Sequence, residues 1–285
     1  VSDTVRAVLL LECYVTVTLL APLLLGRLPL VAQRPVAMLA AWHGFLVTAV
    51  LSLGSGLGLL IHQGMALQAG ARPEEEAVAA IPLAYVAAGV LGVLLFRIVE
   101  EGGRVVREAR RRAGEVATLL LASRPYRVAG RDARIVESDV PLAALSPATG
   151  VILLTTEARA RLDDDEIAAV LEHETAHLEQ RHALAVRIAQ VSRSILPALP
   201  ASQRLALSTT IAIEFIADDH AARVSGPATV ASALTKLDPD GGLSALRADR
   251  MRHPRGGHRV ALRLLCAVAC ALPVLPLVIV LLPPA

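Results

Sequence analysis

The polar middle of this chain has no cysteine. All three cysteines, Cys13, Cys266 and Cys270, lie inside apolar blocks, which excludes a disulfide framework and a thiolate zinc site. Cys266 and Cys270, spaced to share a helix face, read as small polarisable packing residues. Lysine is nearly absent too, with Lys236 alone, so arginine supplies almost all the positive charge. A net charge of +2 is too small to mark nucleic acid as a direct partner. Internal repeats and low-complexity linkers are also missing. The first apolar block has no small-residue cleavage site, so it is expected to stay as an anchor rather than leave as a signal peptide.

What fills the 285 residues is hydrophobic side chains, 54% of the total, with a mean hydropathy of +0.56. A soluble domain sits near or below zero, so much of this chain is expected to face lipid. Four stretches, about 7–26, 36–61, 77–96 and 264–282, are long enough to cross a hydrocarbon core of roughly 30 Å as helices. They divide the chain into three spans within 1–98, a polar domain over 99–262, and a fourth span within 263–285. Pro273 is expected to kink the last one. Glu12 lies near the outer end of its span, where it can reach the interface or pair with Arg6, and His43, with no second ligand-type residue one turn away, reads as a packed or interfacial imidazole.

Arginine asymmetry orients the spans, since positive residues are retained on the cytoplasmic side. Arg27 and Arg34 lie in the first connection, whereas the second has Arg72 against Glu74, Glu75 and Glu76. Arg97, Arg104, Arg107 and Arg110 to Arg112 follow the third span, and Arg250, Arg252, Arg255, Arg259 and Arg263 precede the fourth. These counts predict outside N- and C-termini and a cytoplasmic 99–262 domain in a multi-pass protein.

That domain opens with a charged helix over 97–122, loosened at Gly102 and Gly103. Short β-type runs follow at Arg134–Glu137 and Val151–Thr156, enough for a small sheet. Helix returns at Leu162, where Asp163 caps the N-terminus and Glu166 completes a capping box. The spacing predicts this helix to about Leu184, a second over 187–195, and after Pro197 and Pro200 a third over 202–224. The fold class is a mainly α-helical integral membrane protein with four spans and an α+β zincin-like domain.

The predicted helices carry chemistry. In His173-Glu-Thr-Ala-His177 two imidazoles stand one turn apart on one face, a bidentate clamp for zinc. Glu174 beside them can serve as general base on the attacking water without ligating the ion. On the later helix Glu214 offers a third ligand, which leaves the fourth zinc position open. Asp218, one turn on, can accept the outer N–H of a ligand histidine, His173, and so fix its tautomer. Glu214 sits among Ile211, Ile213, Phe215 and Ile216, where a solvated carboxylate is unexpected. His182 and His220 read as surface or supporting residues. One Zn2+ per chain is the cofactor predicted.

These motifs, His173-Glu-Thr-Ala-His177 and Glu214-Phe-Ile-Ala-Asp218, resemble those of the gluzincin membrane peptidases. With three spans before the peptidase domain and one after, the chain is most similar to the BlaR/MecR-type antirepressor peptidases. It departs from them at Ala285, after which their extracellular penicillin-binding sensor domain is not expected to follow. The resemblance implies a bacterial plasma membrane, a zinc endopeptidase, and as substrate a cytoplasmic winged-helix repressor of the BlaI type. It also implies that the strand around Gly150–Thr156 is an edge where an extended substrate pairs. Oligomeric state is left open, a dimer included.

The related CAAX-type and heat-shock proteases carry a His-Pro-x-x-x-x-Arg stretch, to which His253-Pro-Arg-Gly-Gly-His-Arg259 is similar. His253 or Arg259 could thereby support the oxyanion, against the alternative that both belong to the arginine-rich flank. Membrane protein quality control is the rival function this likeness raises. A non-proteolytic transducer with structural zinc is another, but a structural site has no use for the base Glu174.

Overall fold

The computed structural model describes residues 2–26, 28–69, 74–128, 131–145, 150–238, 241–253, 264 and 267–283. It is mostly helical, with one small mixed sheet. The chain divides into two compact units, one of residues 1–103, 189–208 and 258–285, the other of 104–188 and 209–257.

The first unit is built on α1 (Asp3–Leu25), the short α2 (Leu28–Gln33), α3 (Pro35–Gln68) and the first half of α4 (Glu74–Ala122). Among the described residues three helices are long and apolar enough to cross a membrane, the signature of a multi-pass membrane protein. Large apolar side chains such as Leu23, Val93 and Phe96 stay exposed along them, as a lipid-facing surface requires. Small residues let the helices approach closely. A Cβ on Gly56 would meet Leu10 and Leu11 of α1, and one on Gly64 would run into Ala84 of α4. Ala7, Leu57, Leu60 and Ala87 form the apolar centre where the three helices meet.

Two expectations change here. Pro273 interrupts the last apolar stretch rather than kinking it, because proline has no N–H to continue the ladder. The described part is a shorter helix, Ala267–Val280, with a turn at 272–273 before α11 (Val274–Val280). Helix α4 also runs unbroken through Gly102 and Gly103 to Ala122. Ion pairs one turn apart support it, among them Arg97 with Glu101 at 3.4 Å and Glu108 with Arg112 at 2.8 Å.

In the second unit β1 (Arg124–Val128), β2 (Arg131–Val136), β3 (Ala143–Leu145) and β4 (Ile152–Thr155) form a sheet in the order β1-β2-β4-β3. β2 and β4 are parallel and the two outer pairings antiparallel. β4 is therefore central, buried at every position, and not the edge that the family likeness implied. The edges are β1 and β3.

After α5 (Thr156–Arg161), helix α6 (Asp164–Glu179) lays Ile167 and Leu171 on the sheet with Val128, Ile152 and Leu154. Its N-terminus has the capping box, Asp163 accepting from the Glu166 N–H at 2.8 Å and Glu166 from the Asp163 N–H at 2.9 Å. Glu166 is buried and also receives Ser232 at 2.6 Å and Lys236 at 2.6 Å. Those two residues lie on α9 (Pro227–Leu237), so the cap ties α6 to α9. Burial alone would raise the Glu166 carboxyl, but the hydrogen bonds from Lys236 and Ser232 hold it below the usual range.

Helix α6 stops at Glu179, five residues before the expected end. Arg181 has a φ of 52°, the left-handed region, and α7 (His182–Ile195) starts directly after it. The third helix, α8 (Pro200–Ser225), matches its expected position closely, and α10 (Gly242–Arg252) closes the unit. On the far face of α6, Ala169 packs with Ala221 of α8, Val230 of α9, and Ala248 and Met251 of α10.

Candidate active site

Four helical residues per turn-and-a-bit bring His173 and His177 side by side on α6, about 40° apart around the axis. Their Nε2 atoms face each other at 3.0 Å. Glu214 of α8 approaches both, with Oε2 3.5 Å from His173 Nε2 and Oε1 3.6 Å from His177 Nε2. The ligand atoms of the three residues all lie within 4.8 Å of one another. Two imidazoles presenting Nε2 and one carboxylate are a donor set that suits zinc.

The outward nitrogens are held differently. His173 Nδ1 donates to Asp218 Oδ1 at 3.1 Å, and Asp218 is wholly buried. Asp218 in turn receives Arg247 of α10 in a fork, Nε to Oδ2 at 2.9 Å and Nη2 to Oδ1 at 2.7 Å. Arg247 Nη1 also reaches Glu214 Oε2 at 2.9 Å. His177 Nδ1 instead meets His182 Nδ1 at 3.0 Å.

These contacts separate the two histidines electrostatically. Burial pulls the His173 pKa down, but the bonds to Asp218 and Glu214 outweigh it and push it up to about 9. Burial lowers His177 as well, and the neighbouring His173 charge brings it down to about 4. Asp218 is raised by burial but more strongly lowered by Arg247 and His173, so it stays ionised.

All of this opens on a cavity of about 410 Å³, lined on its polar side by His173, Glu174, His177, Glu214, Asp218 and Arg247. Val170, Val230, Leu234 and Leu237 form an apolar wall, and Ala143 of the edge strand β3 also lines the cavity. Glu174 thus shares the cavity with the three ligand-type residues.

Residues 135–217 match the model of peptidase family M48. No curated protein and no solved structure matches the chain. The M48 match spans β2 to α8 and takes in His173, Glu174, His177 and Glu214, so this segment is similar to the domain of a family of metallopeptidases.

The M48 segment ends one residue before Asp218 and well before α10, where the remaining expectations fall. His253 is not brought to the cavity. It follows the last residue of α10, exposed, with Nδ1 3.0 Å from Asp249 one turn back. Arg259 lies outside the described residues. Among the described residues the cation lining the cavity is Arg247, which no motif singled out. A charge balance could have found it, because two carboxylates one turn apart in an apolar helix, Glu214 and Asp218, need a cation. His220 pairs with Glu172 at 3.6 Å, away from the cluster.

Proposed function

We propose that this chain is a membrane-anchored zinc endopeptidase of the BlaR/MecR type, cleaving a cytoplasmic protein, a BlaI-type repressor. The observation that carries the reading is the convergence of His173, His177, Glu214 and Glu174 on one cavity beside an edge strand. His173, His177 and Glu214 would hold one zinc. Zinc, when bound, supplies Lewis acidity to the scissile carbonyl and makes the attacking water easier to deprotonate.

The rest is the work of the chain. Glu174 takes the proton of the attacking water and passes it to the leaving amine. Arg247, already in the cavity, opposes negative charge developing on the carbonyl oxygen, the role expected of His253 or Arg259. An extended substrate pairs with β3, the outer strand whose Ala143 lines the cavity, and places an apolar side chain against Val170, Val230 and Leu234. The arginine-rich flanks of the spans support a cytoplasmic peptidase unit with both termini outside in a bacterial plasma membrane.

The test is cleavage of a purified BlaI-type repressor, and in parallel an unfolded membrane protein, by the detergent-solubilised chain. Glu174→Gln should lower the rate about 10²–10⁴-fold while retaining zinc. Cleavage of the unfolded membrane protein alone would move the reading to quality control. Bound zinc with no cleavage of either would favour the transducer.

A further inference from the structure

Resting on the zinc reading, we propose that His182 is a positioning residue for the ligand His177, accepting the His177 Nδ1–H so that Nε2 is left free to hold the metal. The two Nδ1 atoms are 3.0 Å apart, a hydrogen-bond distance. One of them must donate and the other accept. If His182 donated, His177 would carry its proton on Nε2, the nitrogen that faces His173 and Glu214, and could not ligate. Ligation through Nε2 therefore requires the opposite arrangement, with His182 accepting at Nδ1 and protonated at Nε2.

The backbone is built for this contact. In an unbroken helix residues five apart stand about 140° apart around the axis and do not meet. Helix α6 ends at Glu179, and Arg181 takes a left-handed φ of 52° although it is not glycine. That strained residue swings His182 back against His177. Backbone strain next to a ligand is more readily kept when it serves the site.

The surroundings point the same way. His182 is 3% exposed, and its Nε2 has no hydrogen-bond partner among the described residues. A leucine would fill such a place without that desolvation cost, so packing alone does not explain an imidazole here. The two metal-holding histidines thus have unlike supports: His173 an anionic carboxylate fork, His177 a neutral ring.

The experiment compares zinc affinity, by competition with a chelator, and the thermal midpoint of the metal-free chain for His182→Asn, His182→Gln and His182→Leu. Asparagine can set its amide oxygen where Nδ1 stood, glutamine places its amide farther out, and leucine offers no acceptor. The expected result is near wild-type affinity for H182N and a 10–100-fold loss for H182Q and H182L, with the metal-free H182L as stable as wild type or more so. Zinc affinity unchanged in both H182Q and H182L, or lost equally in H182N, overturns the proposal. A folded wild type that takes up no zinc, or one whose zinc survives His177→Ala, overturns the zinc reading itself and is thereby distinguished. Should H182L fail to fold, the H182N and H182Q pair decides the matter.

Discussion

His173 and His177 are the same side chain one turn apart, yet the fold sets their proton affinities far apart, up to about 9 and down to about 4. A metal ligand histidine must be unprotonated. Between those values the metal-free pair holds one proton beyond the two neutral rings, on His173, and zinc binding there would have to displace it. Uptake near pH 7 should therefore release about one proton, and affinity should rise about tenfold per pH unit until it levels near 9. Calorimetry in buffers of different ionisation enthalpy measures this, and a pH-independent affinity would refute it. The sign for the metal-free fold follows. Charged His173 stabilises fully below its unfolded value of 6.5 and this is lost as pH rises toward 9, while neutral His177 stabilises above 6.5 and this is lost as pH falls toward 4. Metal-free stability should then peak near pH 6.5. Arg247 matters by a different route, since removing it takes both guanidinium bonds from the buried Asp218 carboxylate and leaves it the His173 N–H. Arg247→Ala should cost about 3–5 kcal/mol in denaturant unfolding, and Arg247→Ala with Asp218→Asn should recover a large part. Equal losses in the single and double variants would show that the fork is not the source.

At the scale of elements, α6 was readable at its start and not at its end. Asp163 and Glu166 announce a capping box in residue types alone, and the box is there. Glu166 adds what local sequence could not contain, the bonds from Ser232 and Lys236 of α9. Glu166→Ala should cost about 2 kcal/mol or more, since it removes a cap and leaves partners unsatisfied. Because the fold lowers the Glu166 pKa, its contribution is present above the ordinary carboxylate range and fades as pH falls through the lowered value. The wild-type and Glu166→Ala stabilities should converge in acid, which denaturant titrations at several pH values would detect. The helix end was hidden because Gln180 and Arg181 carry no glycine or proline signal, although Arg181 takes a left-handed turn just before His182 meets His177. Strand order was hidden for a similar reason. β3 is three residues long, too short for alternation to register, and without it β4 looks like an edge.

For the molecule as a whole, the apolar spans were legible because hydropathy is a property of sequence alone, whereas the cation of the site was not. Arg247 is far from both zinc motifs in the chain and reaches Glu214 and Asp218 only through the packing of α10 on α8, where Arg250 also lies over the Phe215 ring at 4.9 Å. The three proposed ligands come from two helices, α6 and α8, which meet through Ala169 and Ala221, small side chains that bury little area each. On the proposed function, a bound metal would fasten these helices as well as supply chemistry. At free zinc about 1,000-fold above Kd, binding adds about 4 kcal/mol to the stability of the unit that holds it. Removing zinc with a chelator should lower hydrogen-exchange protection in α6, in the part of α8 around Glu214, and in α10. Helices α1 and α3, whose centre of Ala7, Leu57 and Leu60 includes no ligand, should keep theirs. Loss spread evenly over both units would mean that zinc supports a single cooperative fold, and no loss anywhere would mean that the helices hold the ligands in place without it. The selective pattern is the one expected if the peptidase unit depends on its metal and the apolar helices on each other.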